Sequence, residues 1–203
     1  MRRLAPGKLV IASHNAGKLR EFAAFLAPLG IEAVSAGDLG LPEPPETENT
    51  FIGNARIKAH AAAQASGLPA LSDDSGITID ALGGAPGVYT ADWAAGPTGR
   101  DYMKAMSRAW SELEALNAPF PRTAAFNATL CLAWPDGHDE IFEGRVTGRL
   151  QWPPKGDFGF GFDPIFVPDG YEQSFGEMDP DVKHRISHRA AAVAKLLAGS
   201  LAR

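Results

Sequence analysis

The chain has 203 residues, of which 45% are hydrophobic and 21% charged, and its formal net charge is −5. This composition is ordinary for a globular protein, and the length suffices for one substantial core. A nucleic-acid-binding protein usually carries a basic surplus or a basic stripe, and the sequence has neither. A membrane helix needs about 18 consecutive apolar residues, and no stretch approaches that length. We therefore expect no nucleic acid and no membrane among the partners.

The cysteine and signal content favour a cytoplasmic protein. Cys131 is the single cysteine, so no internal disulfide can form, which fits a reducing compartment. It lies in an apolar run and is expected to be a small buried side chain. The apolar run at residues 9–12 is too short for a signal peptide. Because neither repeats nor a clear linker are evident, we expect residues 1–203 to form a single domain.

The first motif is a polar loop between a strand and a helix. Residues 8–12 form a short apolar run that predicts a buried strand. The loop Ser13–Lys18 follows, and apolar residues at helical spacing then predict a helix that Gly30 closes. Backbone amides at a helix N-terminus beside a lysine can bind phosphate. The loop lacks the Walker A pattern, and a polar helix cap with a solvated Lys18 is the alternative.

An acidic, proline-rich loop then leads into a long helix. After a predicted strand over Ile31–Ser35, residues 38–49 contain three prolines and four acidic residues, which predicts an exposed loop. A helix capped by Asn49 or Thr50 is predicted to run to Ser66. Thr50, Asn54 and Lys58 share one face of it. That polar stripe means little if it is exposed, but it supplies a cation if it faces a carboxylate.

Two adjacent carboxylates, Asp73 and Asp74, form the centre of the sequence. The pattern predicts a strand that ends here, turns through Ser75 and Gly76, and resumes. Since side chains alternate along a strand, the two carboxylates should point different ways. One could hold Mg2+ or activate water while the other anchors a neighbouring cation. The alternative is a turn in which Asp and Ser cap backbone groups.

The middle of the chain predicts a helix and a hairpin. Residues 101–116 form an amphipathic pattern with Met106, Ala109 and Leu113 as core positions. Two strands, 124–134 and 140–146, are separated by a Pro-Asp-Gly-His turn. The sheet is therefore expected to be at least partly antiparallel.

A second unusual stretch, residues 156–164, alternates glycines with aromatic residues. Glycines let a backbone approach a ligand closely, and stacking a base on a phenylalanine ring is worth about 1–3 kcal/mol. Because the stretch opens no helix, it is not a dinucleotide-binding fingerprint. An irregular buried loop with core aromatics is the alternative.

The C-terminal region carries a basic cluster, Lys183–Arg189. Ser187 is predicted to cap the last helix, which places the cluster near a helix start. Cations there oppose the helix dipole. That cost is explained if the cluster binds an anion or an oxygen-rich base edge, and a solvated basic face is the alternative.

Five stretches, in order, resemble motifs of the inosine triphosphate pyrophosphatase family. They cover the opening Ser-x-Asn-x-x-Lys, the acidic loop with the helix start, the Asp-Asp-Ser-Gly block, Phe-Gly-Phe-Asp-Pro, and a lysine followed by Ser-His-Arg. The match runs from about Lys8 to about Ala198. It departs from the family at His14, where Gly is frequent, at Gly53, where many members have Glu, and at Phe162, which replaces Tyr.

The resemblance implies a fold and an activity. The fold would be α/β, a mixed sheet flanked by helices, in two lobes with the active site in the cleft between them. The activity would be Mg2+-dependent cleavage of ITP, dITP and XTP to the monophosphate and pyrophosphate, by a protein that is a homodimer. A related Maf-type nucleotide pyrophosphatase and a non-catalytic nucleotide-binding module are the alternatives. A substrate panel with and without Mg2+ separates them.

The resemblance also implies residue roles. Glu46 and Asp74 would hold the metal, and Asp74 would also orient or deprotonate the attacking water. Asp73 would be a supporting carboxylate, paired with Lys58. Neither His14 nor His188 would be the general base. Substrate binding would fall to a larger set: Ser13, His14, Asn15, Ala16, Gly17, Lys18, Ser75, Phe160, Gly161, Phe162, Asp163, Lys183, His188 and Arg189.

Within that set, different residues would bind the base and the phosphates. Phe160 or Phe162 would stack on the base. Donors from Lys183, His188 and Arg189 would satisfy the 6-keto group of hypoxanthine or xanthine, which adenine lacks.

Overall fold

The computed structural model describes residues 1–13 and 16–201, and for residues 16–18 and 21 the backbone alone. Within these ranges no helix has both the length and the apolar character that crossing a membrane requires. The helices are α1 Ala16–Leu26, α2 Phe51–Ser66, α3 Thr90–Trp93, α4 Tyr102–Ala115, α5 Pro180–Ile186 and α6 His188–Ala198. The strands are β1 Gly7–Ile11, β2 Ile31–Ser35, β3 Ala70–Ile79, β4 Ala95–Gly96, β5 Gly99–Arg100, β6 Thr123–Ala133, β7 Asp139–Leu150 and β8 Phe166–Pro168. Single 3-10 turns occur at Ala27–Leu29, Asp80–Leu82, Gly87–Tyr89 and Asp163–Ile165.

The principal sheet is mixed. In the described part of the chain six strands form it, in the order β2-β1-β3-β6-β7-β8. β1 pairs in parallel with both β2 and β3, whereas β7 and β8 pair antiparallel. Only residues 134–138 connect the neighbours β6 and β7, a connection that an antiparallel pair allows and a parallel pair does not. The predicted α/β class with a partly antiparallel sheet is confirmed.

The chain divides into two compact units. Unit 1 comprises Met1–Asp74, Thr129–Glu143 and Ala192–Arg203, and unit 2 comprises Ser75–Ala128 and Gly144–Ala191. The single domain and the cleft between two lobes, both expected from the sequence, stay predictions.

The core of unit 1 forms where α2 meets the sheet. Ala55, Ala59 and Ala63 of α2 pack with Val10 of β1 and with Cys131, and all are buried. Small side chains along one face of α2 let the helix lie close to the strands. Burial raises the pKa of the Cys131 thiol to about 12, which agrees with its predicted role as a small buried side chain.

The core of unit 2 is larger and richer in aromatic residues. α4 contributes the predicted positions Met106, Ala109 and Leu113, all buried. Opposite them a group of phenylalanines packs edge and face, with ring centroids of Phe126 and Phe166 at 4.8 Å. The buried phenylalanines of this core are Phe126, Phe162, Phe166 and Phe175.

The helix caps follow the predicted chemistry. The Thr50 hydroxyl accepts a hydrogen bond from the amide of Gly53 at 3.0 Å, and Gly67 closes α2 in the left-handed conformation. Asp101, which was predicted to be the first residue of the next helix, instead caps α4 by accepting from the amide of Lys104 at 3.0 Å. These signals are local, and therefore the helix boundaries follow from the sequence.

Two predictions about local structure are wrong. β3 runs without interruption through Ser75 and Gly76, where a turn was predicted. The strand is buried along most of its length, and pairing with its neighbours overrides the turn preference of Ser-Gly. In addition, the basic cluster does not lie at one helix start, because α5 ends at Ile186 and α6 begins at His188. Lys183 lies in the last turn of α5, where the helix dipole favours a cation.

The core of unit 2 can be tested at α4. Leu113 is completely buried, whereas Leu116, at the end of the same helix, is 61% exposed. We expect Leu113→Ala to lower the free energy of unfolding by about 2–5 kcal/mol, because it removes packed methyl groups and leaves a cavity. Leu116→Ala should change it by less than about 0.5 kcal/mol. Urea unfolding followed by circular dichroism measures both, and equal losses would contradict this packing.

Candidate active site

Lys58 is the centre of a buried charged cluster in unit 1. Its side-chain ammonium donates to Glu46 Oε1 at 2.8 Å, to Asp74 Oδ1 at 3.0 Å and to the main-chain carbonyl of Asp73 at 3.0 Å. The Lys58 side chain is 7% exposed and that of Asp74 10%, whereas that of Glu46 is 41% exposed. We call Lys58, Glu46 and Asp74 the Lys58 cluster. All three donors of the ammonium have acceptors.

The cluster corrects one predicted pair. The sequence predicted that Lys58 pairs with the carboxylate of Asp73, but the structure pairs it with that of Asp74 and with the peptide carbonyl of Asp73. Consecutive side chains of a strand point to opposite faces, so only one of the two carboxylates can face α2. The Asp73 carboxylate is also buried.

Each residue of the polar stripe on α2 makes a hydrogen bond or an ion pair. Thr50 caps the helix, Asn54 accepts a hydrogen bond from the amide of Glu48 at 3.0 Å, and Lys58 holds the carboxylates. Pro42, Glu43 and Pro44 of the preceding loop line a small pocket together with Lys58. Asn54 and Lys58 therefore hold the acidic loop, and since both are buried the alternative of an exposed face is excluded for them.

The pKa values of Lys58 and Asp74 are both raised. Burial is the largest influence on each and disfavours charge. For Lys58 the attraction of Asp74 and Glu46 exceeds it, so the pKa rises. For Asp74 burial exceeds the attraction of Lys58, and Glu46 and Asp73 add repulsion. One shift favours the ion pair and the other opposes it. Lys58, which has two carboxylate partners, keeps its charge, and the raised pKa of Asp74 means that it takes up a proton at a higher pH than an exposed aspartate does.

The donor set fits a magnesium ion that is shared with a phosphate ligand. Asp74 Oδ2 is buried and has no hydrogen-bond partner within the described ranges. Glu46 and Asp74 each place an oxygen within 3.0 Å of the same ammonium nitrogen, so their carboxylates converge. In residues 1–13 and 16–201, no three Asp, Glu, His or Cys side chains form a metal-binding group. Mg2+ usually takes one or two carboxylates plus substrate phosphates, which matches two converging carboxylates.

A second charged cluster lies in unit 2. Lys183 Nζ donates to Asp163 Oδ2 at 2.5 Å, and the amide of Phe160 donates to the same oxygen at 2.7 Å. Burial raises the pKa of Asp163, although Lys183 opposes the shift. Lys183 Nζ lies 5.4 Å from the centroid of the Phe160 ring. We call Asp163, Lys183 and Phe160 the Lys183 cluster.

Gly159 explains part of the glycine pattern in this loop. It has a φ of +76°, and a Cβ built on it would lie 2.1 Å from Asp163 Oδ2 and 3.0 Å from Lys183 Nζ. The missing side chain therefore makes room for the ion pair. At this position the absence of a side chain accommodates the Asp163–Lys183 ion pair, and the approach of a ligand to the loop stays a prediction.

The two candidate stacking rings differ in their exposure to solvent. Phe162 is completely buried in the core of unit 2, whereas Phe160 is 66% exposed. Phe162 would have to leave the core to stack on a base, so the packing favours Phe160. Gly161 lies between them with a φ of +70°.

His188 and Arg189 lie in the first turn of α6, behind the cap Ser187, whose hydroxyl accepts from the amide of Ala190 at 3.1 Å. The ring of His188 stacks on Phe126 with centroids 5.0 Å apart and planes 13° apart. Arg189 Nη2 contacts the hydroxyl of Ser75 at 3.5 Å. Phe126 was not among the predicted site residues, since nothing near it in the sequence marks it as the support of a histidine distant in the chain.

The first predicted motif lies partly outside the described residues. Ser13 lies two residues after the end of β1, and its main-chain carbonyl accepts a hydrogen bond from the hydroxyl of Ser35 at 3.3 Å. His14 and Asn15 fall outside the described ranges. Ala16, Gly17 and Lys18 form the first turn of α1, so the predicted strand and helix are confirmed, but the helix begins three residues inside the loop predicted for Ser13–Lys18. The role of Lys18 in phosphate binding stays a prediction.

The Lys58 cluster predicts a large change in stability. Lys58→Met should lower the free energy of unfolding by about 3–5 kcal/mol, because Asp74 is left buried without its cation. The double variant Lys58→Met, Asp74→Asn should recover part of that loss. Urea unfolding of the two variants and of Asp74→Asn gives the coupling energy. The control is Lys8→Met, because the Lys8–Glu32 pair is 58% and 66% exposed; a loss at Lys58 no larger than at Lys8 would contradict the cluster.

Known proteins with similar sequences were found along nearly the whole chain. A dITP/XTP pyrophosphatase of Ruegeria pomeroyi is 64% identical over 191 residues, which cover 94% of each chain. A dITP/XTP pyrophosphatase of Rhizobium meliloti is 56% identical over 203 residues and 95% of each chain. The solved structure of a HAM1 protein from Coxiella burnetii is 36% identical and has a TM-score of 0.88 over 93% of this chain and 95% of that one.

A sequence model supports the same assignment and covers all five motifs described above. The model of the Ham1 family matches residues 9–199. This match, together with the identities of the relatives, confirms the resemblance that the motifs predicted, and the chain belongs to the Ham1 family.

Proposed function

We propose that the protein hydrolyses the non-canonical purine nucleotides dITP, XTP and ITP to the monophosphate and pyrophosphate, with Mg2+ as its cofactor. Family membership and the names of the relatives support the reaction. The observation that carries the proposal is the convergence of Glu46 and Asp74 on the buried ammonium of Lys58. A cluster that combines a cation with two carboxylates suits a metal–triphosphate substrate.

The Lys58 cluster would carry the chemistry. Bound at Glu46 and Asp74, Mg2+ would neutralise phosphate charge. Asp74 would orient or deprotonate the water that attacks the α-phosphorus, and its second oxygen is buried without a partner among the described residues. Lys58 fixes the direction of the Asp74 carboxylate and, with Lys18, offsets the negative charge of the triphosphate. Asp73 is a supporting carboxylate.

The Lys183 cluster would read the base. An ammonium has three donors, and Asp163 accepts one of them from Lys183, which leaves others for a 6-keto oxygen. Because Asp163 fixes Lys183 in place, little side-chain freedom is lost when a base binds. His188 and Arg189 would add donors, and Phe160 would stack on the ring. Adenine has an amino group at this edge, and each buried donor it leaves unpaired costs about 1–3 kcal/mol.

We also propose that the protein acts in the cytoplasm as a homodimer. The surface of unit 2 that supports association contains Trp110, Trp152 and Phe120. The rings of Trp110 and Trp152 stack with centroids 5.5 Å apart, and Phe120 is 69% exposed. Exposed aromatic groups of this kind are enriched at protein interfaces. The net charge of −5 argues against nucleic acid as a partner.

The reaction is tested by pyrophosphate release from dITP, XTP, ITP, GTP and ATP, with Mg2+ and with a chelator. We expect release from the first three with Mg2+ alone. Asp74→Asn should lower kcat by about 100-fold or more, because the base or orienting group for water is lost, and should leave the circular dichroism spectrum unchanged. The control is Asp92→Asn, an exposed residue of α3. Near wild-type release by Asp74→Asn would overturn the assignment.

Base reading is tested at Arg189. Arg189→Ala should cost ITP about 1–3 kcal/mol of transition-state binding, whereas ATP should lose little. The ratio of kcat/KM for ITP over ATP should therefore narrow. Arg185→Ala, an exposed residue of α5, is the matched control. An equal fall for both substrates would place Arg189 on the phosphates, and no change for either would return it to a solvated surface.

Association is tested by light scattering. The wild-type mass should be about twice the 21.5 kDa of one chain. Phe120→Asp should shift it toward one chain, because a charge is placed in a desolvated aromatic contact. Leu39→Asp, which alters a side chain that is 42% exposed in unit 1, should not. A monomeric wild-type protein would contradict the homodimer.

A further inference from the structure

We propose that Gly53 is a positioning residue for the predicted metal ligand Glu46. Gly53 occupies the third position of α2, and its bare α-carbon faces the side chain of Glu48 in the acidic loop. A Cβ built on Gly53 would lie 2.5 Å from the Cβ and 2.7 Å from the Cγ of Glu48. The stem of Glu48 thus fills the space that a side chain at position 53 would need.

One hydrogen bond holds the acidic loop in this place, and a second caps the helix beside it. The side-chain oxygen Oδ1 of Asn54 accepts a hydrogen bond from the main-chain N–H of Glu48 at 3.0 Å, and Asn54 is 2% exposed. The Thr50 hydroxyl accepts from the amide of Gly53 at 3.0 Å and also lies 3.0 Å from the built Cβ. The backbone of residue 48 is therefore pinned to the start of α2. Glu46, two residues earlier, reaches Lys58 from this fixed segment.

A larger residue at position 53 would act through the backbone of the loop. The Cγ of Glu48 could rotate away, but its Cβ is fixed to the main chain, and carbon atoms at optimal separation lie about 3.5–4.0 Å apart. Relief of the contact requires residue 48 to move, which lengthens its bond to Asn54 and shifts Glu46. Helix propensity alone predicts the opposite, a stability gain from Gly to Ala. The two effects can therefore be separated by experiment.

This inference rests on the proposed function only for the metal role of Glu46. In this chain Glu48 and Gly53 are a matched pair, in which the side chain of one fills the gap left by the other. A change at one position should therefore be corrected at the other.

Four variants test the pair: Gly53→Ala, Glu48→Gly, and Gly53→Ala combined either with Glu48→Gly or with Glu48→Ala. Glu48→Gly removes the two Glu48 atoms that the new methyl group would meet and leaves only the hydroxyl of Thr50, at 3.0 Å. Glu48→Ala removes the carboxylate but keeps the Cβ at 2.5 Å, so it serves as the matched control. Gln64→Ala, an exposed change on the same helix, controls for general effects on α2.

Two readouts are measured. The first is the Mg2+ concentration for half-maximal pyrophosphate release at saturating XTP. The second, which needs neither metal nor substrate, is amide hydrogen exchange in the peptide that contains residue 48, followed by mass spectrometry.

We expect Gly53→Ala to raise the Mg2+ requirement about tenfold, as is typical when a group that orients a metal ligand is changed, and to speed exchange at residue 48. The double variant with Glu48→Gly should match Glu48→Gly alone in both readouts. The double variant with Glu48→Ala should stay impaired. Gln64→Ala should behave as the wild type.

Three results would overturn the proposal: wild-type exchange and Mg2+ requirement in Gly53→Ala, no rescue by Glu48→Gly, or equal rescue by Glu48→Ala. If the wild-type protein releases no pyrophosphate from any nucleotide, the proposed function fails, while the exchange measurement still decides whether Gly53 positions the loop. If exchange follows the expected pattern and the Mg2+ requirement does not change, the link from Gly53 to the metal ligand is wrong.

Discussion

The buried ammonium of Lys58 is the constraint on which the candidate site of unit 1 depends. Taking a lysine out of water is costly, and this cost is offset only if carboxylates meet it at close range. Asp74 reaches it from β3, Glu46 from the acidic loop, and the peptide carbonyl of Asp73 completes the set. One cation thus fixes the relation of a helix, a strand and a loop, and the loop is the part that would otherwise have the most freedom.

The Lys183 cluster also pairs a buried carboxylate with a lysine, but the two groups are placed differently. Asp163, like Asp74, is a buried carboxylate. In both residues burial raises the pKa, and a neighbouring lysine opposes that rise. Here, however, the cation is carried on the last turn of a short helix, and a backbone amide shares the same oxygen. The pair is therefore suited to hold a donor in a fixed direction, whereas the Lys58 cluster holds acceptor oxygens.

Much of the fold follows from short-range patterns in the sequence. The cap Thr50, the apolar spacing of α4, and the turn before β7 act within a few residues, so they were predicted correctly. The path of β3 through Ser75 and Gly76 could not, because strand pairing decides it. The residue types of the candidate site were also predictable, since they belong to short motifs in the sequence. Which carboxylate meets Lys58, and which phenylalanine is buried, depends on how elements far apart in the chain pack together.

The burial of Cys131 has a practical consequence for chemical labelling. A thiol reacts as its thiolate, and at a pKa of about 12 almost none is present near neutral pH. Since the chain contains a single cysteine, the folded protein behaves toward thiol reagents as though it had none. A cysteine introduced at a chosen surface position would then carry a spectroscopic probe alone, without prior removal of the native residue. Conversely, slow reaction of Cys131 itself would report the opening of the α2 side of the sheet.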